Sequence, residues 1–222
     1  MLSKYKAIVL RSIKYGESGI ITQVYTETEG RQSFIVHGVR KKNSKISPYF
    51  FQPLTPLSIV AYRKESRELH IIKEIQPLIH LTNFHFDIKR NTIAQFISEI
   101  IYRCLRENEP NTSLFNYLLG AIQVLDITES HIHNFHLIFM MQFTRFIGIY
   151  PKDNTELHQY VSDTTFTLTD LLNYSLSDIK ILRLDSKTRS EILNQLLKYY
   201  YDHQEGIGEI KSLQVFKEVF SE

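Results

Sequence analysis

Between Tyr5 and Ile75 the apolar residues fall in short runs of alternating character: Ala7–Leu10, Ile20–Tyr25, Ser33–Val36, Leu57–Tyr62 and Leu69–Ile75. Alternation with period two sends successive side chains to opposite faces, so these runs predict five β-strands. Turn-forming clusters separate them, at Tyr15-Gly16-Glu17-Ser18-Gly19, at Glu29-Gly30-Arg31, over a longer stretch from Gly38 to Pro56, and at Lys64-Glu65-Ser66-Arg67. Short strands with one long connection and no helical period suit a small closed barrel of OB or SH3-like type, in which no sheet edge is left open. The period changes near Pro77. Ile88, Ile93, Phe96, Ile97, Ile100, Ile101, Cys104 and Leu105 recur every three or four positions, as do Leu114, Tyr117, Leu118, Ala121, Ile122 and Leu125, which predicts two amphipathic helices. Asn111 or Thr112 is placed to cap the second. A third helix, apolar on most faces, is expected from about His131 to Ile149, ending at Gly148-Ile149-Tyr150-Pro151. Residues 152–167 are polar and weakly periodic; helices are then expected at about 168–174, 177–183, 187–203 and 211–220. The fold class is therefore α+β and multi-domain: a five-stranded OB-fold barrel over residues 1–80, then an all-α helical bundle over 81–222 with an irregular insertion at 152–167.

Composition supports this division. With 43% hydrophobic residues in 222, the chain can bury a core without covalent staples. One cysteine, Cys104, rules out an internal disulfide and a multi-cysteine metal site, and suggests a reducing compartment. The first apolar run is stopped by Arg11 and no later one has the length of a bilayer span, so we expect a soluble cytoplasmic protein with no membrane partner. The net charge of +2 hides an asymmetry. Residues 1–80 carry thirteen Lys and Arg against six Glu and no Asp, a balance of +7, whereas residues 81–222 carry thirteen against eighteen, a balance of −5. Such a field draws a polyanion to the barrel and leaves the acidic half for something else.

The densest cationic run is Arg40, Lys41, Lys42 and Lys45, four within six positions, followed by Tyr49, Phe50 and Phe51. Clustered cations repel one another, and a phosphate backbone relieves that repulsion while releasing its counterions. The neighbouring rings are of the kind that stack on bases. The same run is compatible with a solvated loop whose aromatics pack into the barrel. Lys4, Lys6, Arg11, Lys14 and Arg31 extend the basic set, so Lys6, Arg11, Lys14, Arg31, Arg40, Lys41, Lys42 and Lys45 form the candidate DNA-binding residues. His131, His133 and His136 invite a metal reading, but only His133 and His136 have the separation that places ligands on one helix face; a capping or surface role is expected instead. Cys104 lies on an apolar helix face and is expected to pack as a small hydrophobe. Of Tyr199, Tyr200 and Tyr201, at least one must face outward. No phosphate-cradling glycine loop, serine elbow or paired-carboxylate motif appears, so no catalytic residue, cofactor or small-molecule substrate is assigned.

Several ordered segments resemble one family. Lys6-Ala7-Ile8-Val9-Leu10, Tyr15-Gly16-Glu17, Ile20-Ile21-Thr22, Tyr25-Thr26, Gly30, Gly38-Val39-Arg40-Lys41 with Ser44, and Gln52-Pro53-Leu54 look like the N-terminal domain of the bacterial recombination mediator RecO. Phe146-Ile147-Gly148-Ile149-Tyr150-Pro151, His203 and Lys211-Ser212-Leu213 are similar to later parts of the same family, so the likeness covers nearly the whole chain in order. No single motif is diagnostic; the likeness is carried by the ordered set.

The resemblance implies a DNA repair and recombination protein of the RecF pathway, bacterial and nucleoid-associated. It implies binding to single- and double-stranded DNA, annealing of complementary strands, engagement of RecR, and help in loading RecA onto DNA coated by single-stranded-DNA-binding protein (SSB). In some members the acidic SSB tail docks on the helical domain; here Arg103, Arg106, Arg145, Lys180, Arg183 and Lys187 are the available cations in an otherwise acidic half. Many members carry a four-cysteine zinc module that residues 152–167 lack entirely, so no structural zinc is expected there, and polar loops or a small hairpin should close the bundle. The rival readings are a non-catalytic adaptor for RNA or an acidic protein, and an enzyme using dispersed residues in a pocket.

Overall fold

The computed structural model describes residues 1–44, 46–63, 69–84, 86–105, 109–160 and 166–220. They group into two compact units, Met1–Leu81 with Leu105–Gly120, and Thr82–Cys104 with Ala121–Glu222.

In the first unit five strands close into a barrel: β1 (Leu2–Tyr15), β2 (Gly19–Thr26), β3 (Gly30–Val36), β4 (Pro56–Tyr62) and β5 (Leu69–Pro77), in the order β1-β2-β3-β5-β4. Neighbours are antiparallel except β3 and β5, which run parallel. This is the OB-type barrel that the alternating runs predict. Strand β1 is much longer than its apolar run because it serves two partners, pairing with β4 through Leu2–Ile8 and with β2 through Ala7–Tyr15. A bulge between Val9 and Arg11 marks the bend this requires. Tyr5, Ala7 and Val9 point inward with Val24, Phe34, Leu57, Ile59, Ala61 and Ile72 to fill the barrel. The long connection contributes as well. A single 3-10 turn at Pro48–Phe51, capped by Ser47, drives Phe51 into that core, with Phe50 packed against it.

The outer positions Ile8 and Tyr25, paired in register, are nonetheless buried. The Tyr25 hydroxyl accepts from the Asn111 amide (3.1 Å), so residues before the second helix cover this side of the barrel. Asn111 then caps α2 (Thr112–Ile127) by accepting from the Leu114 amide at 2.9 Å, as the sequence suggests.

The second unit holds α1 (Ile88–Cys104), the later part of α2, α3 (Phe135–Phe143), α4 (Asn154–His158), α5 (Leu168–Leu171), α6 (Ser186–His203) and α7 (Ser212–Phe220). The apolar run from His131 to Ile149 is helical only at its centre. His131 is left-handed (φ 56°) and a 3-10 turn at Ile132–Asn134 leads into α3. Beyond Phe143, Thr144 turns its hydroxyl onto the Met141 carbonyl (2.6 Å), and left-handed Gly148 redirects the chain. In place of loops or a hairpin, the 152–167 segment contains α4, whose cap Asp153 accepts from the Thr155 and Glu156 amides; residues 161–165 lie outside the described set. Only Leu168–Leu171 of the expected 168–174 helix is α-helical, and the next is a 3-10 turn at Leu176–Lys180.

Three polar clasps order these helices. The Asp126 carboxylate, at the end of α2, accepts from the amides of Thr82 (2.9 Å), Asn83 (2.8 Å) and Phe84 (2.7 Å) and from the Thr82 hydroxyl (3.1 Å). Buried Arg90 on α1 donates to the Leu125 and Thr128 carbonyls at 3.0 and 2.6 Å, satisfying the C-terminal end of α2. Glu99 on α1 accepts from the Lys211 and Ser212 amides at the start of α7, at 3.0 and 2.8 Å, and pairs with Arg103. Cys104 is buried at the end of α1. Tyr199 and Tyr200 are buried, donating to the Ile149 and Met140 carbonyls, and Tyr201 faces outward.

His136 departs from the surface role expected of it. It is 1% exposed on α3, edge-on to Phe96 and Phe216 with ring centres 6.2 and 4.6 Å away, and neither ring nitrogen has a hydrogen-bond partner. Burial, then the Arg189 charge and His133, push its pKa down to about 3, while the His133 backbone opposes this only weakly. A histidine held neutral in the fold and charged when unfolded contributes stability that is complete above its ordinary value of 6.5 and drains away as the pH falls from there toward 3. Methionine fills a similar volume, suits a helix and contacts rings favourably. His136→Met is therefore expected to raise stability by about 1 kcal/mol at neutral pH, the order of cost of an unpartnered buried polar group. The gain should grow at pH 5, which thermal melts at both pH values would check.

Candidate nucleic-acid interface

Two segments build one end of the barrel: the β1–β2 turn and the loop that follows β3. Gly16 (φ 55°) and Gly38 (φ 77°) take left-handed conformations that let both chains reverse tightly. Val39 anchors the loop in the barrel core. The Arg40 amide then donates to the Ser18 carbonyl (3.0 Å), while its guanidinium donates to the Gly16 (2.5 Å) and Gly19 (3.3 Å) carbonyls. Arg40 thus latches the loop to the turn, a role the charge run alone does not reveal. A tight turn follows, with the Lys41 amide on the Gly38 carbonyl and the Ser44 amide on the Lys41 carbonyl, and it leaves Lys41 and Lys42 exposed to solvent. Lys45 lies outside the described residues.

Lys14, near the end of β1, and Arg11, three residues earlier, are exposed and adjoin this end. Across residues 10–19 and 37–47 the chain has six cations and a single carboxylate, Glu17. Backbone latching holds Arg40 and the turn that bears Lys41 and Lys42, so an anion arriving there would meet a preformed positive surface. Two other candidates lie elsewhere. Lys6 is toward the opposite end, its ammonium 3.0 Å from the Glu27 carboxylate in the β2–β3 turn. Arg31 is half-buried beside Tyr25 in the β2–β3 register. Arg63 pairs with Glu29 in the same turn. The structure therefore brings Arg11, Lys14, Arg40, Lys41 and Lys42 toward one end and leaves Lys6 and Arg31 apart from them. Phe51 is spent on the core, so the aromatic triplet is no stacking platform at that position.

On the helical unit, the cations weighed for an acidic tail are partly engaged. Arg103 pairs with Glu99, and the Arg145 guanidinium sits 4.5 Å over the Tyr150 ring while donating to its hydroxyl. Arg106 lies outside the described residues. An open hollow lined by Phe166, Asp170, Asn173, Tyr174, Asp178 and Ile181 has carboxylates but no cation in its wall. Among the described residues no group of three or more His, Cys, Asp or Glu is arranged to hold a metal ion, and no helix is long and apolar enough to cross a membrane.

Comparison with known proteins places the chain in a family. The family model for the N-terminal domain of recombination protein O matches residues 1–80, and that for its C-terminal domain matches residues 85–155. Over the full length of both chains, this one is 34% identical to the DNA repair protein RecO of Flavobacterium psychrophilum and 33% identical to that of Flavobacterium johnsoniae. It is 32% identical to the DNA repair protein RecO of Azobacteroides pseudotrichonymphae, over 99% of this chain and all of the relative.

Proposed function

This chain belongs to the RecO family of DNA repair proteins, and from that premise we propose that it is a non-catalytic recombination mediator of the RecF pathway. In this reading residues 1–80 form the DNA-binding domain and residues 81–222 a helical domain that recruits protein partners, RecR first among them. It binds single- and double-stranded DNA, anneals complementary strands, and assists RecA on DNA coated by SSB in the bacterial cytoplasm, at the nucleoid. The observation that supports it most is the latched, exposed cationic loop at the barrel end, where Arg40 is held by three backbone carbonyl bonds and Lys41 and Lys42 are left outward. Such a surface engages phosphates without reading base edges, which leaves two bound strands able to pair. Docking of the SSB tail has less behind it, given the acidic hollow and the engaged arginines.

A fluorescence-quenching assay on two complementary oligonucleotides tests the proposal. The protein is expected to speed pairing on the order of tenfold or more at low salt, and less as salt rises, because counterion release sets its hold on each strand. Unchanged pairing rates, with tighter binding to RNA or to an acidic peptide than to DNA, would favour the adaptor reading instead.

A further inference from the structure

The acidic balance of residues 81–222 is not used by DNA binding, and it has a local focus. From Phe166 to Asp178 the chain carries two carboxylates and no Lys or Arg. Phe166, Asp170, Asn173, Tyr174, Asp178 and Ile181 line an open hollow of about 450 Å³. Buried Leu168, Leu171 and Ile179 anchor the segment that forms it, and the Gln142 side-chain amide donates to the Tyr174 carbonyl at 2.7 Å. Both carboxylates are held by their own helix starts. Oδ2 of Asp170 accepts from the Thr167 amide and hydroxyl at 2.7 and 2.9 Å, and Oδ2 of Asp178 from the Ser175 amide and hydroxyl at 2.8 and 2.6 Å. Among the described residues no donor is bonded to Oδ1 of either. The Ser175 hydroxyl and amide also keep the Asp178 carboxyl below its ordinary 3.8, so it is charged at neutral pH. Phe166 and Tyr174 contribute half-buried rings, their centres 6.0 Å apart and their planes tilted by 53°, and Ile181 adds an aliphatic surface that is 68% exposed. Capping accounts for one oxygen of each carboxylate. It does not account for two rings and an open isoleucine gathered beside them.

We propose that this hollow takes one arginine side chain from a protein partner, which deepens, and rests on, the reading of residues 81–222 as the partner-recruiting domain. Charge complementarity decides the occupant. Two carboxylates repel a phosphate chain or an acidic peptide and attract a cation. Lys180 and Arg183 follow in the chain, but neither lines the hollow, so no cation of its own wall neutralises it. The rings then select among cations. A guanidinium is flat and weakly hydrated, lies well on an aromatic face, and offers paired N–H groups to a carboxylate, whereas an ammonium is a compact, strongly hydrated point charge. The methylenes of an arginine stem suit Ile181 in the same way. The volume falls within the range of about 300 to 1,000 Å³ usual for small-ligand pockets, enough for one long side chain. Because the capping bonds fix both carboxylates beforehand, little ordering is left to oppose binding.

The test is a titration of the full chain, followed by amide NMR, with the acetylated, amidated peptide Gly-Ser-Arg-Ser-Gly and with the same peptide carrying citrulline, the neutral isostere of arginine. The arginine peptide is expected to shift amide signals of residues 166–181 saturably, and the citrulline peptide to bind there on the order of tenfold more weakly or less well still. Asp170→Asn with Asp178→Asn leaves a side-chain oxygen for each cap and should weaken the arginine peptide on the order of tenfold. A second variant does not touch the caps. Asn173 is exposed and its side chain bonds neither capping residue, so Asn173→Lys should place a tethered ammonium in the hollow and block the peptide with Tm unchanged. An arginine peptide that leaves these signals unmoved overturns the proposal, as does equal binding of arginine and citrulline, or a folded Asn173→Lys protein that binds as wild type does. Spermidine binding there more tightly than the peptide would make the hollow a polyamine site and also overturn it. None of these outcomes touches the DNA-binding reading, which stands or falls on the pairing assay above.

Discussion

Replacing Asp126 with alanine is expected to lower the stability of the helical unit by about 3 kcal/mol, because three backbone amides and a hydroxyl lose a charged acceptor at a buried site. For a unit of this size, that corresponds to a fall of roughly 10 °C in Tm. Burial by itself would raise the pKa of this carboxyl, but the amides of Thr82, Asn83 and Phe84 outweigh it and bring the pKa below the ordinary 3.8. The sign of the pH dependence follows. The stabilisation is complete above that ordinary value and is lost as the pH falls through the lower folded-state value. Circular dichroism melts at neutral pH check the magnitude. A change in Tm of under a degree or two would mean that the segment before α1 is not held by this carboxylate.

The second large effect concerns binding. The pair Lys41→Glu and Lys42→Glu is expected to weaken the hold on single-stranded DNA on the order of a hundredfold at low salt, since each reversal removes a phosphate contact and adds a repulsion. Thermal stability should not move, because both side chains are exposed and the loop is held by the Arg40 and Val39 contacts instead. Arg40 is deliberately spared. Its guanidinium bonds the Gly16 and Gly19 carbonyls, so a substitution there would mix loss of charge with loss of loop geometry.

Much of the barrel was legible because a strand writes its inner face directly into the chain: the alternation of Tyr5 and Ala7 with Lys4 and Lys6 is the inward and outward pleat itself. The cationic loop was legible for a similar reason, since a charge run after a glycine is local. What could not be read depends on pairing across distance. Lys6 looked like part of a basic patch until the β1–β2 register set Glu27 beside it, 21 residues away. Ile8 and Tyr25 sit on the outer face yet are buried, because Asn111 and its neighbours cover them. Apolar content also overstated helix. The run from Phe143 to Ile149 is rich in rings and aliphatics, but Thr144 and left-handed Gly148 end α3 early.

The central claim is that phosphates meet a fixed cationic surface at one end of the barrel, and a salt series on single-stranded DNA binding tests it most directly. For wild-type protein the logarithm of the association constant should fall with the logarithm of salt at about −0.7 per phosphate contacted, giving a slope steeper than about −2, and the Lys41→Glu, Lys42→Glu variant should show a slope shallower by about 1.4 or more. An affinity that does not change with salt, or the same slope in both proteins, would contradict the account.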